Sequence, residues 1–345
     1  MSCELADLFA RALQASALAP GETVAVYSEG SVRRSYSDAF AAAAERCGAT
    51  AFAVDVPHAP RPGPAASSEM SGLADRPALV EAFKSCDLLV DLALLLFRPE
   101  KLAIQASGTR ILTCVEPPDT LERLFPRPQY REEARAGQAL LNGAERLVVR
   151  SDNGTDVVYE LGTRSAMCQY GQADEPGRWD HFASAFVATA PNAGGVNGQV
   201  VLEVGDIVLP TLHYVRDPVR FIIENGYIVD VGGGVDAMLL RDQMSRFDKD
   251  ARAVSHIGWG LHEFARWDAL RIDPHQVGLD ARSFRGCVMF STGPDTEFGG
   301  TNTSACHFDM PMRNCSLWVD DELVVDKGEL VQKGDPEAPP REIAP

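Results

Sequence analysis

Up to about residue 145, short apolar runs alternate with longer segments whose apolar residues recur at helical spacing. The apolar runs cover residues 23–27, 51–56, 88–94 and 110–115, and the helical segments cover residues 4–18, 36–47, 76–85, 99–106 and 132–141. Strands that are apolar on both faces and linked by helices belong to parallel sheets that are covered on both sides. We therefore predict an α/β N-terminal domain with a parallel sheet.

The predicted topology is Rossmann-like, but the sequence motif of a nucleotide site is missing. In nucleotide-binding folds, G-x-G-x-x-G follows the first strand and places backbone N–H groups around the pyrophosphate. Here the first strand is followed by SEGSV at 28–32, a sequence typical of a turn. We predict no nucleotide site in this half of the chain.

Beyond about residue 145 the chain changes to short β-runs separated by glycine-rich turns. Residues 147–161 are predicted to form a β-hairpin with its turn at Asp152-Asn153-Gly154. Further strands are predicted within 199–202, 206–208, 221–229 and 316–325, and the clearest helix at 235–247. The predicted domains are an α/β domain of residues 1–160 and a mixed α+β domain of residues 161–345. The Pro-rich segment 57–68 is expected to be a surface loop, and the tail after Leu330 to be loosely ordered.

Composition limits the partners and the compartment. The 345 residues carry a formal net charge of −17, whereas proteins that bind nucleic acids or anionic membranes need a basic face. The N-terminus lacks a signal-peptide pattern, and the longest apolar run, 88–97, is too short to span a bilayer. The eight cysteines include no CxxC pair, which indicates reduced thiols and no zinc ribbon. We predict a cytoplasmic protein without nucleic-acid or membrane partners.

The distribution of histidines places the chemistry in the second domain, because six of the seven lie at or after residue 181. His307 and Asp309 form an H-x-D pair, and in an extended segment residues i and i+2 face the same side. A neutral imidazole and a carboxylate placed in this way suit iron, zinc or manganese. The polar, glycine-rich run 299–304 before the pair is typical of loops that line sites. The alternative interpretation of the pair is an exposed polar strand.

A third ligand would complete a set of two histidines and one carboxylate. This set is typical of non-haem Fe(II) oxygenases, because it leaves positions open for dioxygen and substrate. His256 and His262 are both candidates, and the run 258–260 (GWG) between them argues against a regular helix. The residues themselves leave the choice between the two histidines open.

Other catalytic types are less consistent with the sequence. It contains no GxSxG, P-loop or HExxH motif. Cys306 adjoins His307, but neighbouring residues on a strand face opposite sides, which disfavours a thiol nucleophile activated by that histidine. Spacing alone assigns no role to His181 or Ser291, and either could be structural.

Several runs resemble known enzymes. The segment SACHFDMPMRNCSLWVDDELVVDKGEL at 304–330 resembles the C-terminal site segment of the aminopeptidase T-like metallopeptidases, whose two-part plan also matches nearly the whole chain. A closer resemblance is to a subgroup of that fold, the 2,5-dihydroxypyridine 5,6-dioxygenases. It is carried by WDHF at 179–182, HIGWG at 256–260, FSTGP at 290–294 and HFDMPMRN at 307–314, which are specific only in combination.

The resemblance to the dioxygenases implies that His256, His307 and Asp309 bind Fe(II). It implies that His181 and Ser291 are catalytic pocket residues that contact the substrate. The implied reaction opens the ring of 2,5-dihydroxypyridine with O2 and gives N-formylmaleamate, so the implied partners are a small aromatic substrate and O2. The chain departs from this subgroup at Phe97, near which the subgroup carries a histidine, and this departure leaves the exact ring substrate open.

The alternative function is that of a metallo-aminopeptidase. The resembling peptidases hold two metals with additional glutamates, whereas the similar positions here are Gln199 and His256. Fewer carboxylates disfavour a dinuclear hydrolytic site and favour one redox-active metal. A third hypothesis, a binding protein without catalysis, is disfavoured by an intact ligand triad. The fold is also consistent with a homo-oligomer.

Overall fold

The computed structural model describes residues 2–57, 72–273 and 275–331. His58, nearly all of the predicted Pro-rich loop and the C-terminal tail from residue 332 lie outside the described residues. The helices are α1 Ser2–Ala15, α2 Arg34–Arg46, α3 Pro77–Lys84, α4 Pro99–Ala106, α5 Pro118–Arg123, α6 Pro128–Asn142, α7 Val235–Ser245, α8 Ala269–Ile272 and α9 Leu279–Ser283, with 3-10 helices at Lys249–Arg252 and Thr296–Phe298.

The strands follow one another along the whole described chain. They are β1 Thr23–Glu29, β2 Thr50–Val56, β3 Leu88–Asp91, β4 Arg110–Thr113, β5 Arg146–Arg150, β6 Asp156–Glu160, β7 Met167–Gln169, β8 Trp179–His181, β9 Phe186–Thr189, β10 Val196–Leu202, β11 Ile207–Val208, β12 His213–Tyr214, β13 Val219–Glu224, β14 Tyr227–Gly233, β15 Val254–Gly260, β16 Val288–Thr292, β17 Phe308–Met312, β18 Ser316–Val319, β19 Glu322–Asp326 and β20 Glu329–Leu330. They form three main sheets and the small β11–β12 pair.

The N-terminal sheet is parallel, with the strand order β2-β1-β3-β4-β8. Alternate residues of its strands enter two separate cores, so that Val24 and Val26 pack with residues of α1 and α2. Ala25 and Tyr27 pack with residues of α3 and α4 on the opposite face. The predicted parallel sheet covered on both sides is confirmed. Its fifth strand, β8, comes from beyond residue 160 and was not predicted.

Two antiparallel sheets make up most of the rest. The eight-stranded sheet has the order β14-β13-β10-β6-β5-β18-β19-β20 and contains the predicted hairpin β5–β6. The β-runs predicted within 221–229 and 316–325 also form hairpins, β13–β14 and β18–β19. The five-stranded sheet has the order β17-β16-β15-β9-β7. Side chains of both sheets meet in one large core, where the Phe221 and Phe290 rings lie 5.7 Å apart.

The predicted division at residue 160 stays a prediction, and strand pairing crosses it in both directions. β5 and β6 precede it but belong to the eight-stranded antiparallel sheet, whereas β8 follows it but completes the parallel sheet. Among the described residues, no helix is both long and apolar enough to cross a membrane. The seven described cysteines between Cys47 and Cys315 are free thiols.

Candidate metal centre and its pocket

Three buried side chains of the five-stranded sheet converge. His256 lies on β15, Asp309 on β17, and His307 immediately before β17. One ligand atom of each lies within 4.8 Å of the others. The Nε2 atoms of His256 and His307 are each 3.2 Å from Asp309 Oδ1. Adjacent ligands of one metal ion, at bond lengths of about 2.1 Å, lie roughly 3 Å apart, so this spacing fits a single ion.

Local backbone features place His256. Between Val254 and Ile257 the pairing of β15 with β16 contains one extra residue, a β-bulge that re-aims the intervening side chains. Past the bulge, β15 packs tightly against β9, and a Cβ on Gly258 would lie 2.1 Å from the Val187 carbonyl oxygen. The GWG run is therefore a strand in close contact with its neighbour, consistent with the expectation that it is not helical.

Hydrogen bonds fix the tautomers of both histidines. His307 Nδ1 donates to the Thr292 carbonyl at 2.9 Å, which leaves its Nε2 free of a proton when the ring is neutral. His256 Nδ1 lies 3.0 Å from Ser255 Oγ, whose own proton is donated to the Pro294 carbonyl. Ser255 must then accept from His256 Nδ1–H. Both Nε2 lone pairs are thus directed toward Asp309, as outer hydrogen bonds do for metal-bound histidines.

Burial and charge oppose each other in this triad. Burial alone would raise the pKa of Asp309, but the adjacent His307 and His256 hold that pKa well below its usual range. Burial lowers the pKa of His256 more than Asp309 raises it. Burial also acts to lower the pKa of His307, but the Asp309 carboxylate outweighs it and the net pKa is raised. An ionised carboxylate beside two imidazoles is the donor set that divalent iron, zinc and manganese accept.

Ser291 lies at the centre of the same face. It is fully buried on β16 directly opposite Asp309, to whose Oδ1 its hydroxyl donates at 2.6 Å. Its Oγ is also 3.0 Å from His256 Nε2. Ser291 is therefore within direct hydrogen-bond distance of two triad residues, Asp309 and His256.

His181 ends β8 at the carboxyl edge of the parallel sheet, beside Thr113 of β4. The Arg282 guanidinium donates to His181 Nδ1 at 3.0 Å, so neutral His181 carries its proton on Nε2. Burial and the cationic Arg282, Arg33 and Lys101 place the pKa of His181 well below 6.5. Within the described chain, neither His181 Nε2 nor Arg282 Nε has a hydrogen-bond partner, although both atoms are buried. Each buried polar atom without a partner lowers the stability of the folded state by about 1–3 kcal/mol unless a ligand forms a hydrogen bond with it.

A narrow pocket lies beside the triad and Arg282, with residues of both the parallel sheet and the five-stranded sheet in its lining. It is lined by Leu96, Phe97, Met167, Gln169, Trp179, Phe186, His256, Arg282, Met289, Glu297, Phe298, His307 and Asp309. The Phe298 ring stacks on His256 at 5.1 Å, and the Phe97 ring lies 4.7 Å from the His307 ring. Apolar walls around two imidazoles exclude water and strengthen electrostatic contacts inside the pocket. His181 is outside this lining but contacts it through Arg282.

Three of the residues weighed from the sequence take no part in the triad. His262 Nε2 is 3.1 Å from the Leu124 carbonyl, and its Nδ1 accepts from Phe264 N–H, so both ring nitrogens are used. Gln199 lies on β10 of the eight-stranded sheet, where its amide donates to the Gly154 carbonyl. The side chain of Gln199 therefore takes no part in the candidate metal centre. Cys306 is buried in the main core, away from the pocket lining.

Sequence reasoning did not identify Arg282, Glu297 or Lys101. Arg282 is separated from His181 by about a hundred positions, and no spacing rule connects them. Lys101 of α4 and Glu297 of the 3-10 helix form an almost fully buried ion pair, and a buried lysine has no distinctive sequence pattern. The one indication of this part of the pocket in the sequence was Asp91, a charged residue within an apolar run. Its buried carboxylate accepts from the N–H groups of Ala93 and Leu95 and shapes the loop that carries Phe97.

Comparison with known proteins matches the chain over nearly its full length. A family model described as 2,5-dihydroxypyridine 5,6-dioxygenase covers residues 4–332. The 2,5-dihydroxypyridine 5,6-dioxygenase of Pseudomonas putida KT2440 is 40% identical over 344 residues, covering 96% of this chain and 97% of the relative. A solved structure of the 2,5-dihydroxypyridine dioxygenase from that strain has a TM-score of 0.93 at 39% identity, covering 96% of this chain and 98% of the other.

A more distant structure shares the architecture only. AmpT from Thermus thermophilus has a TM-score of 0.61 and 17% identity, with 95% of this chain and 99% of that chain covered. Identity at that level shows a common fold. The extent of the family match, and the 40% identity to a relative of nearly equal length, decide the assignment: this chain belongs to the 2,5-dihydroxypyridine 5,6-dioxygenase family.

Proposed function

We propose that the protein is an Fe(II)-dependent dioxygenase that opens the ring of 2,5-dihydroxypyridine between C5 and C6 and releases N-formylmaleamate. The observation that carries the proposal is the buried triad of His256, His307 and Asp309, with both Nε2 atoms oriented by hydrogen bonds. Two imidazoles and one carboxylate leave coordination positions open, which suits non-haem iron. The family assignment supplies the substrate and the reaction class.

Bound Fe(II) would supply the redox chemistry that lets O2 react with an electron-rich ring. The chain would position that ring. The unpartnered N–H groups of Arg282 and neutral His181 are suited to donate to a ring oxygen that carries negative charge. Ser291, beside Asp309 and His256, would hydrogen-bond a second ring oxygen. The aromatic rings of Phe97, Phe298 and Trp179 would hold the ring plane and exclude water.

The peptidase alternative has less support. Within the described residues, the side chains that could hold a metal form one group of three, whereas dinuclear hydrolysis needs donors for two ions. The likeness to AmpT concerns the fold alone. Cytoplasmic location, a homo-oligomer and the lack of nucleic-acid or membrane partners stay predictions from the sequence.

The direct test is turnover after anaerobic reconstitution with Fe(II). We expect O2 consumption equal to the loss of ring absorbance from 2,5-dihydroxypyridine, with one O2 per ring. Mass spectrometry with 18O2 should show both oxygen atoms in the product. If the Fe(II) enzyme is inactive toward the ring but the Zn(II) or Co(II) enzyme releases amino acids from peptides, the dioxygenase proposal is wrong.

A second prediction concerns Ser255, which supports His256 from outside the triad. In Ser255→Ala, His256 Nδ1 loses its hydrogen-bond acceptor, and the ring loses its fixed orientation. Loss of such an outer partner typically lowers metal affinity by about 10–100-fold. Anaerobic Fe(II) titration should show this loss, whereas Ser245→Ala, whose hydroxyl only donates to the Asp242 carbonyl at the end of α7, should bind Fe(II) normally. Equal affinities in the two variants would contradict the orienting role.

A further inference from the structure

The Glu297–Lys101 ion pair is the buried charged group that the proposed function has not used. Both side chains are almost fully buried, and they join the 3-10 helix Thr296–Phe298 to α4. Besides Asp309 of the triad, Glu297 contributes the only carboxylate among the described pocket-lining residues. A buried ion pair contributes little net stability compared with apolar packing of equal volume, so its presence in a reaction pocket suggests a chemical role.

The two oxygens of Glu297 have different surroundings. Oε1 accepts from Lys101 Nζ and, at 2.7 Å, from the backbone N–H of Phe97. Among the described residues, no side chain or backbone N–H donates to Oε2. Lys101 is held in turn by the Trp179 ring, whose centroid lies 3.3 Å from Nζ. One carboxylate oxygen is therefore anchored while the other is available to a ligand in the pocket.

Glu297 also connects the pocket to the surface. A neighbouring groove of about 430 Å³, open to solvent, shares Met167, Trp179, Glu297 and Phe298 with the pocket and is lined by Lys101 as well. Glu297 thus borders both the pocket and a space that is open to solvent. No other carboxylate in the described chain lines both spaces.

The proposed function creates a need for such a group. A phenol-like ring hydroxyl has a pKa near 10 and is protonated at neutral pH, whereas an electron-rich ring oxygen must lose that proton to bind a cation. The pocket's other ionisable groups are unsuited to accept it. Those of the triad would hold the metal, and Arg282 is already cationic and has no acceptor atom.

We propose that Glu297 is the catalytic residue that accepts the proton of the ring hydroxyl when the substrate binds, with Lys101 as its positioning residue. This inference rests on the proposed function. The O–H bond of the ring hydroxyl breaks, an O–H bond forms on Glu297 Oε2, and the electron pair stays on the ring oxygen. The negative charge moves from Glu297 to the ring, so the net charge of the pocket, with Lys101 and Arg282 beside it, does not change.

The test counts protons during anaerobic binding of 2,5-dihydroxypyridine to the Fe(II) enzyme. In weakly buffered solution with a pH indicator, the ring's ultraviolet spectrum should show the ionised form while the wild type releases almost no proton. In Glu297→Gln, which keeps the side-chain size and an oxygen for Phe97 N–H, the ring should either stay neutral or ionise with release of a full proton. In air, kcat of this variant should fall by about 10²–10⁴-fold with little change in KM. Glu133→Gln, the same change in the Glu133–Arg285 pair of another region, should match the wild type.

The outcomes distinguish failure of this inference from failure of the proposed function. If the wild type ionises the ring and releases a full proton, Glu297 does not hold it, and the inference is overturned whether or not the variants fold. A kcat of Glu297→Gln within about threefold of wild type would overturn it equally. If the wild-type Fe(II) enzyme neither binds nor consumes the ring, the proposed function itself is wrong, and this inference is overturned with it.

Discussion

Replacing Asp309 with alanine is expected to abolish Fe(II) retention and to lower kcat/KM for 2,5-dihydroxypyridine by on the order of 10³-fold or more. Asp309 Oδ1 is the atom that both Nε2 atoms approach, at 3.2 Å each. Without it, two buried imidazoles face each other with no anion to offset the charge of a metal ion. Neutral histidines alone would hold iron weakly, because the carboxylate is the only anionic donor of the set.

The loss should be visible without turnover. Fe(II) that binds the folded state stabilises it by mass action, so anaerobic addition of Fe(II) should raise the melting temperature of the wild type and leave that of Asp309→Ala unchanged. Asp321→Ala is the matched control, because Asp321 lies in the turn between β18 and β19 with its side chain 87% exposed. If Asp309→Ala binds Fe(II) with an affinity near that of the wild type, the triad is not the metal site.

Two of the three triad residues could be predicted from residue spacing alone. His307 and Asp309 were found because residues two apart on an extended segment share a side, a local rule that holds whatever the rest of the fold does. The choice between His256 and His262 depended on strand pairing, which places His256 on β15 between β9 and β16 and leaves His262 beyond the end of that strand. Pairing partners come from distant parts of the chain, so a local pattern could not decide the question.

The same dependence on distant parts of the chain explains why β8, Arg282 and Glu297 were not predicted from the sequence. β8 is only three residues long and lies among antiparallel strands in sequence, yet it pairs in parallel with β4 and places His181 against Arg282 of the pocket lining. Arg282 and Glu297 reach that pocket from a short helix and a 3-10 turn with no distinctive motif. The apolar strands of the parallel sheet, in contrast, were predictable because burial on both faces leaves a continuous signal.

Replacing His181 with phenylalanine is the second change with a large expected effect. Phenylalanine keeps the ring volume in this fully buried position but removes both nitrogens, so Arg282 loses its acceptor and the substrate would lose the N–H donor that we propose for it. We expect kcat/KM to fall by about 10–100-fold if His181 only donates a hydrogen bond, and by up to about 10⁴-fold if it transfers a proton. Fe(II) affinity should be unchanged. His275→Phe, at a side chain that is 86% exposed, should be neutral.

A second substitution at the same position separates the two roles. His181→Gln retains an N–H donor and an acceptor for Arg282 but cannot act as an acid or base near neutral pH, so it restores most of the activity only if His181 works as a donor. The structure favours this outcome. Burial and three cations hold the pKa of His181 well below 6.5, so the side chain is neutral above pH 6.5. Enzyme activity that depends on neutral His181 is then lost only as the pH falls toward that lowered pKa. A wild-type pH profile with an acid limb near 6.5 that disappears in His181→Gln would show proton transfer instead and would contradict the donor role.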